Sequence, residues 1–299
     1  MALYGAIEAG GTKFVCAVGS GPDDVRARLR IPTTSPHETL EQCLSFFHSQ
    51  PKIDALGVGC FGPLELRRTE RYYGHVTATP KPGWSHADIV GPLARGLAVP
   101  IGFDTDVNAS VLGEARWGAA RDLDTAIYIT IGTGIGGGAL VGGQLVHGLL
   151  HPEMGHLLVP REPDDWGFAG SCPFHGARCW EGLAAGPALE SRYGRRAETL
   201  ASDHPAWDLE ARYIASALTS LVLVLSPERV ILGGGVMQGG ELFPRVRKYL
   251  TRSLAGYVQS SALGEAIDAY VVPPGLGTDS GIAGALALAE RAALSLAPR

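Results

Sequence analysis

The same short design occurs twice in this chain. Leu3 to Ala9 reads as a strand, Gly10-Gly11-Thr12-Lys13 as a turn, and Phe14 to Val18 as a second strand. About 120 residues later, Thr125 to Ile131 reads as a strand and Gly132-Thr133-Gly134-Ile135-Gly136-Gly137-Gly138 as a turn. Ala139-Leu140-Val141 then starts another strand. Two strand–glycine turn–strand units predict a duplicated domain. Paired glycines free backbone N–H groups to face a phosphate, and Thr12 and Lys13 add a hydroxyl and a charge. One such turn is equally an ordinary hairpin connector. Two at matched places point to phosphates held from both sides.

Length and composition bound the rest. At 299 residues the chain makes one large domain or two medium ones, and 45% apolar against 18% charged residues leaves ample core. The net charge of -5 gives no attraction for a nucleic-acid backbone. The longest apolar run, Leu221 to Leu225, is too short to span a membrane. Met1-Ala2-Leu3 shows no basic leader region. Five cysteines cannot all pair, and Cys16, Cys43 and Cys60 sit in apolar contexts suited to core thiols. A reduced, cytoplasmic chain is expected.

Strands and helices alternate, which predicts an α/β class. His37 to Ser49 has helical spacing, and Ile53 to Cys60 is a buried strand ending at Phe61-Gly62-Pro63. Residues 72–84 read as an exposed loop with one Trp to pin it. Val99 to Phe103 is a strand, followed by Asp104-Thr105-Asp106-Val107-Asn108 and a helical run from Ala109 to Trp117. Asp106 thus stands at a strand end before a helix N-terminus, where Asp and Asn also serve as caps; for Asn108 the cap is an equal reading. In the second half, Pro187 to Tyr193 and Leu209 to Leu225 read as helices. The strand Arg229 to Leu232 leads into Gly233-Gly234-Gly235-Val236-Met237. That run either admits a flat base or ribose to the backbone or simply turns the strand into a helix. Tyr270 to Pro273 is the last strand and Ser280 to Leu294 the last helix.

After the second glycine turn lies a cluster of soft ligands. Cys172, His175 and Cys179 form C-x2-H-x3-C, with His156 sixteen residues before it. Two thiolates and two imidazoles suit tetrahedral Zn2+. The polar loop Arg161 to Gly170 is too poor in apolar residues for its own core, so a metal could replace one. The alternative is two spare thiols and two surface histidines. Glu153 and Glu181 frame the cluster, an arrangement suited to holding a polar ligand such as a sugar.

These motifs resemble the ROK family (repressors, open reading frames and kinases), most closely its fructokinase branch. His175 stands among the cysteines as in fructokinase-like members, and Thr79-Pro80-Lys81-Pro82-Gly83-Trp84 is similar to a stretch found in them. The resemblance implies the hexokinase–actin–Hsp70 (ribonuclease H-like) superfold, two α/β domains around a cleft. The first is expected over 1–117 plus a C-terminal helix 281–299, the second over 118–280 with a zinc-binding insert at 151–181. It further implies MgATP-dependent phosphorylation of fructose, with mannose or glucose as alternative acceptors and a non-catalytic sugar sensor as the alternative function. Asp106 becomes the expected general base. Gly62, Thr105, Glu153, His156 and Glu181 become sugar contacts. Gly11, Thr12, Lys13, Thr133, Gly134, Gly234, Gly235 and Met237 become nucleotide contacts. His156, Cys172, His175 and Cys179 become ligands of a structural zinc, which four protein ligands close to water. A homodimer is implied, with no nucleic-acid or membrane partner. A repressor of the family would need a helix-turn-helix ahead of the first strand, for which Leu3 leaves no room. Two departures stand out. Glu8 replaces the Asp of many relatives before Gly10-Gly11-Thr12, one methylene longer toward any Mg2+. Thr105 replaces the usual Asn beside the base.

Overall fold

The computed structural model of the chain describes residues 2–238 and 242–295, which fall into two compact units. The first takes in the chain up to Asp122, Leu145–Pro152, and the chain from Gly275 on. Its strands are β1 (Tyr4–Ala9), β2 (Lys13–Gly19), β3 (Val25–Pro32), β4 (Ala55–Cys60) and β5 (Ile101–Thr105), in the sheet order β3-β2-β1-β4-β5. The β1–β2 and β2–β3 pairs are antiparallel, while β4 runs parallel to β1 and β5 to β4. Helices α1 (Pro36–His48), α2 (Val90–Leu97) and α3 (Asp106–Trp117) complete this stretch. Every residue of β4 is buried, as expected for a parallel strand covered on both faces. One face packs in a core with Ile7, Phe14, Leu56, Val58 and Trp84. The other face carries the last helix, Ser280–Leu294, which approaches so closely that a Cβ on Gly57 would lie 1.8 Å from the Ala285 carbonyl oxygen.

The second unit comprises Leu123–Gln144 and Glu153–Pro274. Its sheet is built from β6 (Ala126–Ile131), β7 (Ile135–Val141), β8 (Gln144–Leu145), β9 (Arg229–Gly233) and β10 (Val271–Val272), in the order β10-β9-β6-β7-β8. Each strand matches one of the first sheet: an antiparallel hairpin with an edge strand beyond it, and two parallel strands on the far side. The duplication read from the glycine turns is therefore a duplication of topology. Helices α4 (Trp180–Ala184), α5 (Gly186–Tyr193), α6 (Ala206–Leu225), α7 (Leu242–Leu254) and α8 (Ile267–Tyr270) belong here. The last helix, α9 (Ser280–Leu294), returns to the first unit.

Several boundaries differ from the sequence reading. The second glycine turn is only Gly132–Gly134, because Ile131 pairs with Ile135 and Gly136, Gly137 and Gly138 continue the ladder opposite Thr130, Ile129 and Tyr128. Helix α3 begins at Asp106, not Ala109, and its N-cap is Thr105, whose hydroxyl accepts the Asn108 N–H at 3.1 Å. Asn108, read as a possible cap, lies inside the first turn. Leu145–Pro152 packs with the first unit although it falls within the stretch 118–280 assigned to the second domain. It is held there by two histidines described below. Of the expected helix 281–299, residues 296–299 lie outside the described residues.

Candidate active site and metal centre

In the first unit, strand register aligns the expected site residues. Ala9 pairs with Cys60 and Cys60 with Thr105, so β1, β4 and β5 end side by side. The turn Gly10–Lys13, Phe61-Gly62 and Asp106 follow these three ends, the edge where open α/β sheets receive ligands. Gly11, Thr12 and Lys13 are exposed. The turn is closed by Gly10 N donating to the Lys13 carbonyl at 3.0 Å and anchored by Thr33 Oγ1 donating to the Gly10 carbonyl at 2.8 Å. Gly62 is half-buried at a cis Gly62–Pro63 bond. Burial pushes the Glu8 carboxyl above its ordinary range, opposed by the nearby Lys13 and Arg28 charges. Trp84, read as a pin, is fully buried between Phe14 and Phe61, with ring centroids 5.4 Å from each. It therefore ties the loop before α2 to the β1–β2 hairpin and to the end of β4.

Asp106 opens α3, half-buried, with Oδ1 accepting the Val107 N–H at 2.9 Å. A carboxylate at a helix N-terminus is stabilised as the anion, the form a base requires. Thr105 is only 3% exposed and its hydroxyl oxygen serves the helix cap. The sequence reading missed its neighbour Asp104. That buried carboxylate accepts from Thr105 N and Asn108 Nδ2, each at 2.8 Å, and lies 2.8 Å from His147 Nε2. It also missed Glu114, fully buried, which accepts from Ala119 N, Gly275 N, Leu276 N and Ser280 Oγ. Each also has partners far along the chain, His147 for Asp104 and Gly275, Leu276 and Ser280 for Glu114, 43 to 166 positions away, and no local spacing betrays those.

The second unit gathers its own set. Gly132 N donates to the Gly134 carbonyl at 2.9 Å and closes the turn, with Thr133 exposed at its tip. Gly234 sits beside it at φ 91, where a Cβ would lie 2.3 Å from the Ile131 carbonyl oxygen. Gly235 is exposed, whereas the Met237 side chain is buried at 4% exposure and joins the core. Glu181 reaches the same turn: its Oε2 accepts the Ile135 N–H at 2.9 Å. The expected sugar contact is thus also a cap of the expected phosphate turn. Glu153 reaches solvent, yet burial of its carboxyl end, with the Glu181 charge as the second cause, pushes that carboxyl up to about 7.

The four soft ligands converge. His156, Cys172, His175 and Cys179 offer ligand atoms that all lie within 4.8 Å of one another. His156 Nδ1 is 3.8 Å from Cys172 Sγ and 3.7 Å from Cys179 Sγ, and His175 Nδ1 is 3.7 Å from Cys172 Sγ. Tetrahedral zinc with ordinary Zn–S and Zn–N bonds sets S···N edges of about 3.5 Å, close to these separations. Each sulfur also accepts a backbone N–H at 3.4 Å, from His175 to Cys172 and from Gly182 to Cys179; with no metal bound, burial pushes the Cys179 thiol up to about 11. The donor set therefore fits a closed zinc site. With Nδ1 turned to the sulfurs, His156 directs Nε2 toward Glu181 Oε1 at 4.0 Å. A carboxylate behind a ligating imidazole is the usual way its tautomer is held.

Comparison with known proteins accords with this geometry. The model of the ROK family matches residues 4–292. A putative fructokinase of Bacillus subtilis (strain 168) is 48% identical over 290 residues, covering 97% of this chain and 96% of that protein. A fructokinase of Pediococcus pentosaceus is 43% identical over 290 residues, covering 97% and 98%. Among solved structures, a ROK hexokinase from Thermus thermophilus superposes with a TM-score of 0.76 at 25% identity, covering 97% of this chain and 98% of that one.

Proposed function

We infer that this chain, which belongs to the ROK family, is an ATP-dependent sugar kinase of the actin-like ATPase fold that phosphorylates fructose. One observation carries the choice of sugar: relatives 48% and 43% identical over nearly the whole chain bear the name fructokinase. In the reaction, a hydroxymethyl oxygen of the sugar attacks the γ-phosphorus of MgATP. The new P–O bond forms as the bond to the β–γ bridging oxygen breaks, yielding fructose 6-phosphate and ADP, and the hydroxyl proton passes to a base. Such transfer depends on in-line positioning and charge neutralisation more than on covalent chemistry of the protein.

Asp106 is our choice for that base, supported by its place at the β5–α3 junction and by a helix N-terminus that favours its anion. The turns at 10–13 and 132–134 would orient phosphates through their backbone N–H groups, with Thr12, Lys13 and Thr133 exposed on them. Gly234 and Gly235 would lie against the nucleoside, with Met237 supporting from the core. Glu153, His156 and Glu181 would bind sugar hydroxyls, with Gly62 and Thr105 shaping the acceptor side of the first unit. His156, Cys172, His175 and Cys179 would hold a structural zinc, whose contribution is cross-linking of a loop poor in apolar residues. A cytoplasmic location and a homodimer belong to the same proposal. Their support is five free cysteines, which fit a reducing compartment, and the family resemblance. No helix among the described residues is long and apolar enough to cross a membrane.

The test is a coupled ADP-release assay with fructose, mannose, glucose and N-acetylated hexosamines at one ATP concentration. Fructose should give the highest kcat/KM. ADP release with no sugar in the panel would overturn the kinase reading, and glucose ahead by tenfold or more would overturn the choice of fructose alone.

A further inference from the structure

The segment Leu145–Pro152 starts at the end of β8 and runs on to Glu153, so that both flanking residues, Gln144 and Glu153, belong to the second unit, yet it packs with the first. Three contacts hold it there. Leu145 packs against a cluster of Ala109, Leu112, Ala287 and Leu288. His151 Nε2 accepts the Leu64 N–H at 2.9 Å. His147 Nε2 lies 2.8 Å from Asp104 Oδ2. Asp104 in turn braces the start of α3. Its Oδ1 takes the Thr105 N–H and the Asn108 amide at once, joining the last residue of β5 to the first turn of the helix. Asp106 lies between those two partners. We propose that His147 is a positioning residue for phosphoryl transfer, holding Asp104 and, through it, the helix start that carries Asp106. The proposal rests on the reading of Asp106 as the base.

The electrostatics of the segment agree with this role. Asp104 is 4% exposed, and a buried carboxylate needs a compensating cation. His147 is half-exposed, and its hydrogen bond to Asp104 pushes the imidazole above its ordinary value, against the opposing effect of burial. His151 is moved the other way: burial lowers it and keeps it neutral, as acceptance of the Leu64 N–H by Nε2 requires. The other groups that face Asp104 are Arg291 on α9, itself beside Glu290, and Tyr73 on the loop after β4. Asn108 on α3 completes the ring at 3.4 Å from His147 Nε2. Loss of the His147 proton removes a positive charge from beside Asp104, two residues before the base, at a site that on our reading must also accept anionic phosphates. The sign follows: a raised histidine gives its ion pair in full at low pH and loses it as pH climbs through the raised value.

The test is a kcat–pH profile of the full chain with fructose and MgATP, joined to an NMR titration of the histidine rings. In the wild type, the His147 ring should titrate above the ordinary 6.5, and kcat should decline through the same pH. His147→Gln should lower kcat roughly tenfold with KM for ATP unchanged, and should lack that decline. His147→Lys, a cation to higher pH, should recover part of the loss at alkaline pH. An unshifted His147 in the wild type overturns the proposal without recourse to any variant. So does a folded His147→Gln protein with wild-type kcat, or with the decline intact. Full turnover in Asp106→Asn would instead sink the base assignment, and the ring titration would still report on the His147–Asp104 tie.

Discussion

Glu114 offers a stability test worked from the structure. Its carboxylate is fully buried and accepts from four donors: Ala119 N at 2.6 Å, Gly275 N at 2.9 Å, Leu276 N at 3.1 Å and Ser280 Oγ at 2.7 Å. Those donors come from the chain just after α3 and from the entry to α9, so one side chain knits the far end of the Asp106 helix to the start of the last helix. Glu114→Ala removes every acceptor and leaves three backbone N–H groups seeking water in a packed region. An unmade buried hydrogen bond costs about 1–3 kcal/mol. If water rescues half of the four, the net loss is still about 2–6 kcal/mol. For a chain of this size that corresponds to a fall in Tm of roughly 3–10 °C. Glu114→Gln keeps one carbonyl oxygen but turns an NH2 toward N–H donors, so it should lie between wild type and Ala. The assay is thermal unfolding followed by circular dichroism, with urea midpoints as a check. A Tm within 2 °C of wild type for Glu114→Ala would refute the claim that this carboxylate carries the junction.

Three further outcomes follow from the site. Asp106→Asn should fold and bind sugar yet lose at least ~100-fold in kcat; near-normal turnover in that variant beside an inactive Asp104→Asn would move the base to Asp104. Protein purified without chelator should contain close to one zinc per chain, and Cys179→Ser should lower both metal content and Tm; full activity and stability in metal-free protein would remove zinc from the account. Fructose should exceed mannose and glucose in kcat/KM, measured with all three sugars under one ATP concentration.

What the sequence made legible were features with a local signature. The two glycine turns announced two units because a tight turn between strands needs glycine at fixed places, and the sheets they open share one topology. The C-x2-H-x3-C spacing announced convergence because a short loop cannot carry three ligands far apart, and the four atoms do converge. Asp106 was legible as a strand-end carboxylate. Illegible were the elements whose sequence argues against them. Helix α2 contains Gly91, Pro92 and Gly96, poor helix residues that tertiary packing overrides. Strand β3 is the exception: Val25, Ala27, Leu29 and Ile31 alternate with exposed Arg26, Arg28 and Arg30, a period-two pattern that marked an edge strand and that the sequence reading passed over. The hairpin glycines at 136–138 looked like turn and proved to be ladder, since a paired strand tolerates glycine where the partner strand supplies the bulk. His147 is a lone histidine in an unpatterned segment, and only the fold brings it to Asp104.

Glu181 links the four-ligand cluster to the second glycine turn. Cys179 caps α4 through its sulfur, which accepts the Gly182 N–H. Two residues after it, Glu181 spends one oxygen on the Ile135 N–H at the exit of the glycine turn and turns the other toward His156. Just beyond α4, Gly186 N donates to the Gly132 carbonyl at 2.7 Å, at the entry to the same turn. Both ends of that turn are therefore fastened to the short stretch that follows Cys179. A metal bound at the four ligands would fix Cys179, and so α4, and so both fastenings. Its loss would be felt first as looseness of the Gly132–Gly134 turn, in a chain whose phosphate contacts, on our reading, come from backbone N–H groups that only a held turn can aim.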